Sequence, residues 1–232
     1  MTLYLSRLRM ARNPQVAALA QLLNPSDANR CLDAHHRLLW SAFATGEQTA
    51  RDFLWRHDGR DGFLVLSARV PQASPFFEPP QVREFAPVLK TGDRLAFTLR
   101  ANATRTRVME RDVASGKQHK AHVDLVMDAL HTVGPGERAE RRMTLAQEAA
   151  EHWMARQGEQ HGFRLDQVTV GDYSVLTVPV DARRGKGQPR FGVLDLSGTL
   201  TVTEPVVFLH RLAAGFGRAK AFGCGLMLIR RA

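Results

Sequence analysis

An α+β fold in two halves is what the sequence predicts, each half compatible with a β-α-β-β-α-β unit. Three observations point there. Alternation of apolar and polar side chains marks strands at Leu3–Met10, Phe63–Val70, Arg94–Arg100, Asp166–Val178 and Val193–Val202. Helical spacing marks about Asp27–Ala44, where Leu32, His36, Leu39 and Phe43 recur on one face, and Thr144 to about Gln157, where Leu145, Ala149 and Trp153 do. The chain closes with a helix (Pro205–Ala214), a Gly-rich loop and an apolar strand (Gly225–Arg230).

Taken in order, the first strand runs into a polar, Pro-containing segment and then the long helix. Two strands follow, separated by the Pro-rich stretch Pro71–Pro80, which cannot sustain a helix and is expected as a loop. Residues 107–143 lose periodicity, are charged and end in GPGERAERRM, the pattern of a linker or mobile insertion. The spelling Thr144 to Gln147 is a capping box that opens the second half's helix. The expected division is therefore residues 1–106, a linker over 107–143, and residues 144–232.

Lys and Arg number 32 against 23 Asp and Glu, a net charge of +9 that favours a polyanionic partner. Hydrophobic residues at 44% exclude global disorder. The only cysteines are Cys31 and Cys224, and no apolar stretch has the length of a signal peptide or membrane span, so a reducing cytoplasm is the simplest home. No helix-turn-helix pattern supports a DNA-binding regulator. His119 and His122 fall short of a metal site, no paired-carboxylate motif of a metal-dependent nuclease stands out, and no cofactor motif is present.

Gly215, Gly217, Gly223 and Gly225 interleave with Arg218 and Lys220 in GFGRAKAFGCGLML, a composition suited to cradling phosphates. A plain Gly-rich connection between helix and strand accounts for it equally well. A dinucleotide fingerprint follows a strand and opens a helix; here the order is reversed, and the Gly-Lys-Ser/Thr of a P-loop is missing. The loop together with DAHHRLLW (Asp33–Trp40), LRANA (Leu99–Ala103) and the opening strand LYLSRLRM resembles the CasE-type CRISPR repeat endoribonucleases, with landmarks in order over nearly the full length.

That resemblance implies tandem ferredoxin-like domains and metal-independent cleavage of precursor CRISPR RNA at the 3′ base of the repeat hairpin. It also implies 2′,3′-cyclic phosphate and 5′-hydroxyl products, and retention as a subunit of a Cascade-type complex. It aligns His36, followed by Arg37, with the family's catalytic histidine, although a histidine on an apolar stripe is more often a packed residue. An imidazole near neutrality suits proton transfer. Where family members often carry tyrosine three residues earlier, this chain has Asp33, a helical neighbour able to orient His36; a carboxylate does not replace a phenol beside phosphate, and a non-catalytic RNA-binding subunit is the alternative. For RNA binding, Arg183, Arg184, Lys186 and Arg190 crowd a turn that resembles the family's basic hairpin. Arg100, Asn102 and Arg105 have donors for a phosphate or for the loop fold, and Arg218 and Lys220 join them.

Overall fold

Strand β1 (Tyr4–Arg9) buries Ser6 and Leu8 and turns its odd-numbered residues to the opposite face, the period of two that the sequence displays. In the computed structural model, which describes residues 2–23, 25–43, 52–59, 62–111, 118–177 and 190–232, short helices α1 (Pro14–Ala18) and α2 (Ala20–Leu23) lead into α3 (Ala28–Trp40). Asp27 caps α3 by accepting the Arg30 amide at 2.8 Å. Strands β2 (Phe53–His57), β3 (Gly62–Ser67) and β4 (Gln81–Glu84) complete an antiparallel sheet in the order β2-β3-β1-β4. Leu8, Phe53, Trp55, Phe63 and Val65 on one face pack beneath Leu38, Leu39 and Phe43 at the end of α3.

This is the ferredoxin-like strand order with one helix missing. Between β3 and β4 the segment carries Pro71, Pro75, Pro79 and Pro80, each of which removes an amide donor and biases its predecessor away from the helical region. Phe77 from this loop is buried and bridges Met10, filling the space over the sheet.

The second half is complete. Strand β5 (Arg94–Ala101), helix α5 (Arg138–His161), strands β8 (Phe163–Thr177) and β9 (Arg190–Val202), helix α6 (Pro205–Ala214) and strand β10 (Met227–Arg231) form a sheet in the order β10-β5-β9-β8, with both helices on one face. A hairpin, β6 (Thr104–Arg111) and β7 (Gln118–Asp124), and the short helix α4 (Leu125–His131) are inserted between β5 and α5.

Two expectations change accordingly. The boundary falls before β5 rather than after residue 106, because β5 pairs with β9 and β10 and lies at the centre of the second sheet. Of the two readings of residues 107–143, linker or insertion, the described residues support an insertion. This stretch holds most of the inserted hairpin, α4 and the first turns of α5, which begins at Arg138 because Arg-Ala-Glu-Arg-Arg-Met are all good helix formers once the Gly-Pro-Gly punctuation has passed. Thr144 is thus inside the helix. Gln147, expected in a capping box, ties α5 to β8 instead, donating to the Val168 carbonyl and accepting from the Val170 amide.

The halves join through Leu54 and Leu66 of the first and Leu226 of the second. No helix among the described residues is long and apolar enough to cross a membrane.

Candidate functional site

The two adjacent histidines of α3 have opposite fates. His35 is 4% exposed, stacks on His57 with ring centroids 5.4 Å apart and meets the edge of Phe63 at 4.9 Å. Burial, reinforced by the neighbouring His57, pushes its pKa down to about 4. One residue on is a rotation of about 100° around the helix, which brings His36 to the half-buried edge facing the Gly-rich loop, its ring 6.5 Å from that of Phe222. Nε2 of His36 accepts a hydrogen bond from the Trp40 indole Nε1 at 3.2 Å.

Asp33 does not orient that imidazole. Its carboxylate pairs with Arg37 one turn on, Oδ2 to Nη2 2.9 Å, and no hydrogen bond or ion pair joins it to His36 among the described residues. The i,i+4 pairing wins because an extended guanidinium is a better partner for a surface carboxylate than a half-buried ring.

All four glycines of the loop have positive φ, and a 3₁₀ turn (Lys220–Phe222) sits between them. They face protein, so the loop is a docking element rather than an open phosphate cradle. A Cβ on Gly217 would lie 2.5 Å from the Asn102 carbonyl, which accepts the Arg218 amide at 3.2 Å, and one on Gly215 would press on Leu54 of the first domain at 2.7 Å. Gly223 lies against the Trp55 ring, whose indole donates to the Ala221 carbonyl at 3.2 Å, and Gly225 is bound through its amide to the Arg100 carbonyl at 2.7 Å. The loop therefore locks onto β2 and carries Phe222 to His36.

Phe222 also meets Phe191 of β9, centroid to centroid 5.5 Å. Leu32 of α3 packs with Phe191 on a small cluster of Leu176, Val193 and Cys224. The base of the β8–β9 hairpin, where Thr177 pairs with Arg190, is thereby fixed beside α3. Arg190 is exposed there, whereas Arg183, Arg184 and Lys186 lie outside the described residues.

The remaining candidates divide by burial. Arg218 and Arg37 are exposed; Arg218 has no hydrogen bond or ion pair from its side chain among the described residues. Lys220 Nζ donates to the Ala214 carbonyl at the end of α6. Arg100 pairs across strands with Asp195 at 3.0 Å, and Arg105 forms an ion pair with Asp128. Asn102 is not an RNA contact: it is 3% exposed, and its amide donates to the Gly192 carbonyl at 2.8 Å and to Asp124 at 3.2 Å. Its role is to hold β5, the inserted hairpin, β9 and the Gly-rich loop together.

Asp124, which the sequence does not single out, is the centre of that network. Oδ1 accepts the Val126 and Met127 amides and the Tyr173 hydroxyl; Oδ2 accepts from Asn102 and from the Gly192 amide. Burial, the Asp124 charge and the hydrogen bond to it all raise the pKa of Tyr173. The legible signal is an aspartate directly before the apolar run LVMDAL, a helix-start pattern. Among the described residues no three His, Cys, Asp or Glu side chains gather where they could hold a metal ion.

Two ferredoxin-like strand orders, docked through a Gly-rich loop that closes on a histidine-bearing helix, define the class as a tandem ferredoxin-like protein. The family model described as CRISPR associated protein matches residues 3–231, and the chain belongs to that family. The CRISPR-associated endoribonuclease Cse3 of Thermus thermophilus is 29% identical over 92% of this chain and 93% of its own. The CRISPR system Cascade subunit CasE of Escherichia coli is 24% identical over 83% of this chain and 88% of its own. The fold is shared with Thermus thermophilus Cse3 bound to an RNA representing a pre-cleavage complex (TM-score 0.62, 24% identity, 99% of this chain and 100% of that one). It is shared too with the CRISPR-associated protein Cas6e from Escherichia coli (TM-score 0.61, 21% identity, 99% and 100%).

Proposed function

We propose that this protein is a metal-independent endoribonuclease of the cytoplasm that binds the stem-loop of a CRISPR repeat and cleaves precursor CRISPR RNA at the 3′ base of the hairpin. It then stays on its product as a subunit of a Cascade-type complex. The observation that carries this is the position of His36, half-buried where α3 meets the Gly-rich loop, in a chain whose family match spans residues 3–231.

In the reaction the ribose 2′-oxygen attacks the adjacent phosphorus as its proton is removed, and the bond to the 5′-oxygen of the next nucleotide breaks as that oxygen gains a proton. The products are a 2′,3′-cyclic phosphate and a 5′-hydroxyl. His36 supplies the proton transfer at the 2′-oxygen. Arg218, exposed on the loop that reaches His36, has the donors to hold the charge building on phosphate. Asp33, already held by Arg37, takes no proton-transfer part, so the proton for the 5′-oxygen comes from another donor. Cleavage of the cognate repeat RNA is expected to proceed at full rate in excess chelator. Activity restored only by added Mg²⁺ or Mn²⁺ would refute the metal-free chemistry, and tight hairpin binding without product would identify a non-catalytic RNA-binding subunit.

The basic turn holds the stem. Replacing Arg183, Arg184, Lys186 and Arg190 with alanine is expected to weaken hairpin binding and flatten the slope of log K against log salt by about 0.9 for each phosphate no longer neutralised. Single-turnover cleavage at saturating enzyme falls far less. An unchanged slope, measured by titration at several salt concentrations, would place the stem on Arg218 and Lys220 instead.

A further inference from the structure

We propose that Trp40 is a positioning residue that keeps His36 neutral, with its proton on Nδ1 and its lone pair covered, until RNA displaces the indole. The proposal rests on the assignment of His36 to proton transfer above. An indole N–H donates and never accepts, so the 3.2 Å contact between Trp40 Nε1 and His36 Nε2 makes Nε2 an acceptor. A neutral imidazole has one in-plane lone pair. If Nε2 holds it, the proton is on Nδ1, and the tautomer is fixed by the neighbouring side chain.

The geometry is built in. Trp40 follows His36 by four residues on the same face of α3, with the two rings edge to face at 6.3 Å. The indole is held from below by Phe53 of β2, 5.5 Å away and also edge to face, and Phe222 bounds the imidazole from the Gly-rich loop. Among the described residues, the charged groups on the surrounding elements include the Asp33–Arg37 pair on α3, Arg218 and Lys220 on the loop, and Arg190 beside Phe191 on β9.

An imidazolium bears N–H at both nitrogens and would set two donors against each other, so protonating His36 means breaking the bond to Trp40. A bond made only to the neutral form holds the ring neutral. To take the 2′-hydroxyl proton, Nε2 must exchange the indole for the hydroxyl. The proton then moves from the 2′-oxygen to Nε2, Nδ1 keeps its own, and Trp40 is left without its acceptor. The free protein thus carries a shielded base that substrate uncovers.

The test is nitrogen NMR on the full chain labelled in its histidines, with His36 assigned by the signals that vanish in His36→Ala. The expected free-state spectrum shows an unprotonated Nε2 and a protonated Nδ1 for His36; a protonated Nε2 overturns the proposal. In Trp40→Phe, which keeps an aromatic ring and deletes the N–H, the His36 titration midpoint is expected to rise by about 0.5 to 1 pH unit, the equivalent of one neutral hydrogen bond. The acidic limb of single-turnover cleavage at sub-saturating enzyme, which reports the free protein, should move by the same amount, while the limb at saturating enzyme, where RNA has displaced the indole, should not. An unmoved midpoint in folded Trp40→Phe also overturns it. If that variant does not fold, the wild-type spectrum decides alone. Wild-type cleavage by His36→Ala would sink the proton-transfer assignment while leaving the spectroscopic result intact.

Discussion

His36→Ala should lower single-turnover cleavage of the repeat RNA by roughly 10²- to 10⁴-fold at saturating enzyme, the usual cost of losing a positioned proton-transfer group. Hairpin affinity should stay within about twofold, since a half-buried ring contributes little to the phosphate contacts that dominate binding. A variant that folds and cuts at wild-type speed refutes the role. The adjacent histidine makes a different kind of variant. His35 is packed among His57, Trp55 and Phe63, so His35→Ala opens a cavity in the first domain and is expected to reduce stability while the folded fraction still cuts. The two variants separate cleanly: one loses rate without stability, the other stability without intrinsic rate.

Much of this arrangement is legible in the sequence because it follows from local periodicity. The α3 stripe, the alternation in β1, β3, β8 and β9, and the closing helix-loop-strand are each dictated by side chains within a turn or two of one another. Sheet membership is not. Nothing in Arg94–Arg100 says that its partners are β9 and β10, more than 90 residues downstream, instead of β3, and so the sequence places the domain boundary too late. Charge misleads over residues 107–143, where the strands of the inserted hairpin and the exposed first turns of α5 have the composition of a linker.

At the site, the motif is what singles out His36, whereas the side chains packed around it are not visible there. Asp33 stands at helical spacing from both His36 and Arg37, and only the rotamers decide for Arg37. Phe222 reaches His36 from more than 150 residues away in the chain and is itself backed by Phe191, a relation no sequence pattern encodes. The donors of Asn102 suit a phosphate and the loop fold alike, and its burial decides for the loop fold. Burial is the missing quantity.

That buried network gives the largest expected loss of stability. In Asp124→Ala the Asn102 amide, the Tyr173 hydroxyl and the Gly192 amide each lose an acceptor in a part-buried site, and α4 loses its cap. An unsatisfied buried donor costs about 1–3 kcal/mol and a lost cap about 1 kcal/mol, but relaxation and water entry make such sums overshoot. A destabilisation of about 3 kcal/mol is expected, which in a chain of this size lowers Tm by roughly 6–12 °C. Tyr173→Phe removes one member and leaves the carboxylate bonded to the rest, so it should cost only about 1 kcal/mol. The cavity beside Gly192 cannot be refilled from β9, because a Cβ there would lie 2.5 Å from the Tyr173 hydroxyl and 2.6 Å from the Tyr173 ring. The functional consequence follows from what Asn102 holds: its carbonyl fixes the Arg218 amide, and its amide fixes β9 two residues past Arg190. Asp124→Ala should therefore loosen the Gly-rich loop and the base of the basic hairpin together, reducing hairpin affinity and cleavage even below the melting transition. Thermal unfolding measured beside single-turnover cleavage is the check. An unchanged Tm would show that the network does not support the fold, and a destabilised protein that binds and cuts normally at low temperature would show that it does not support the site.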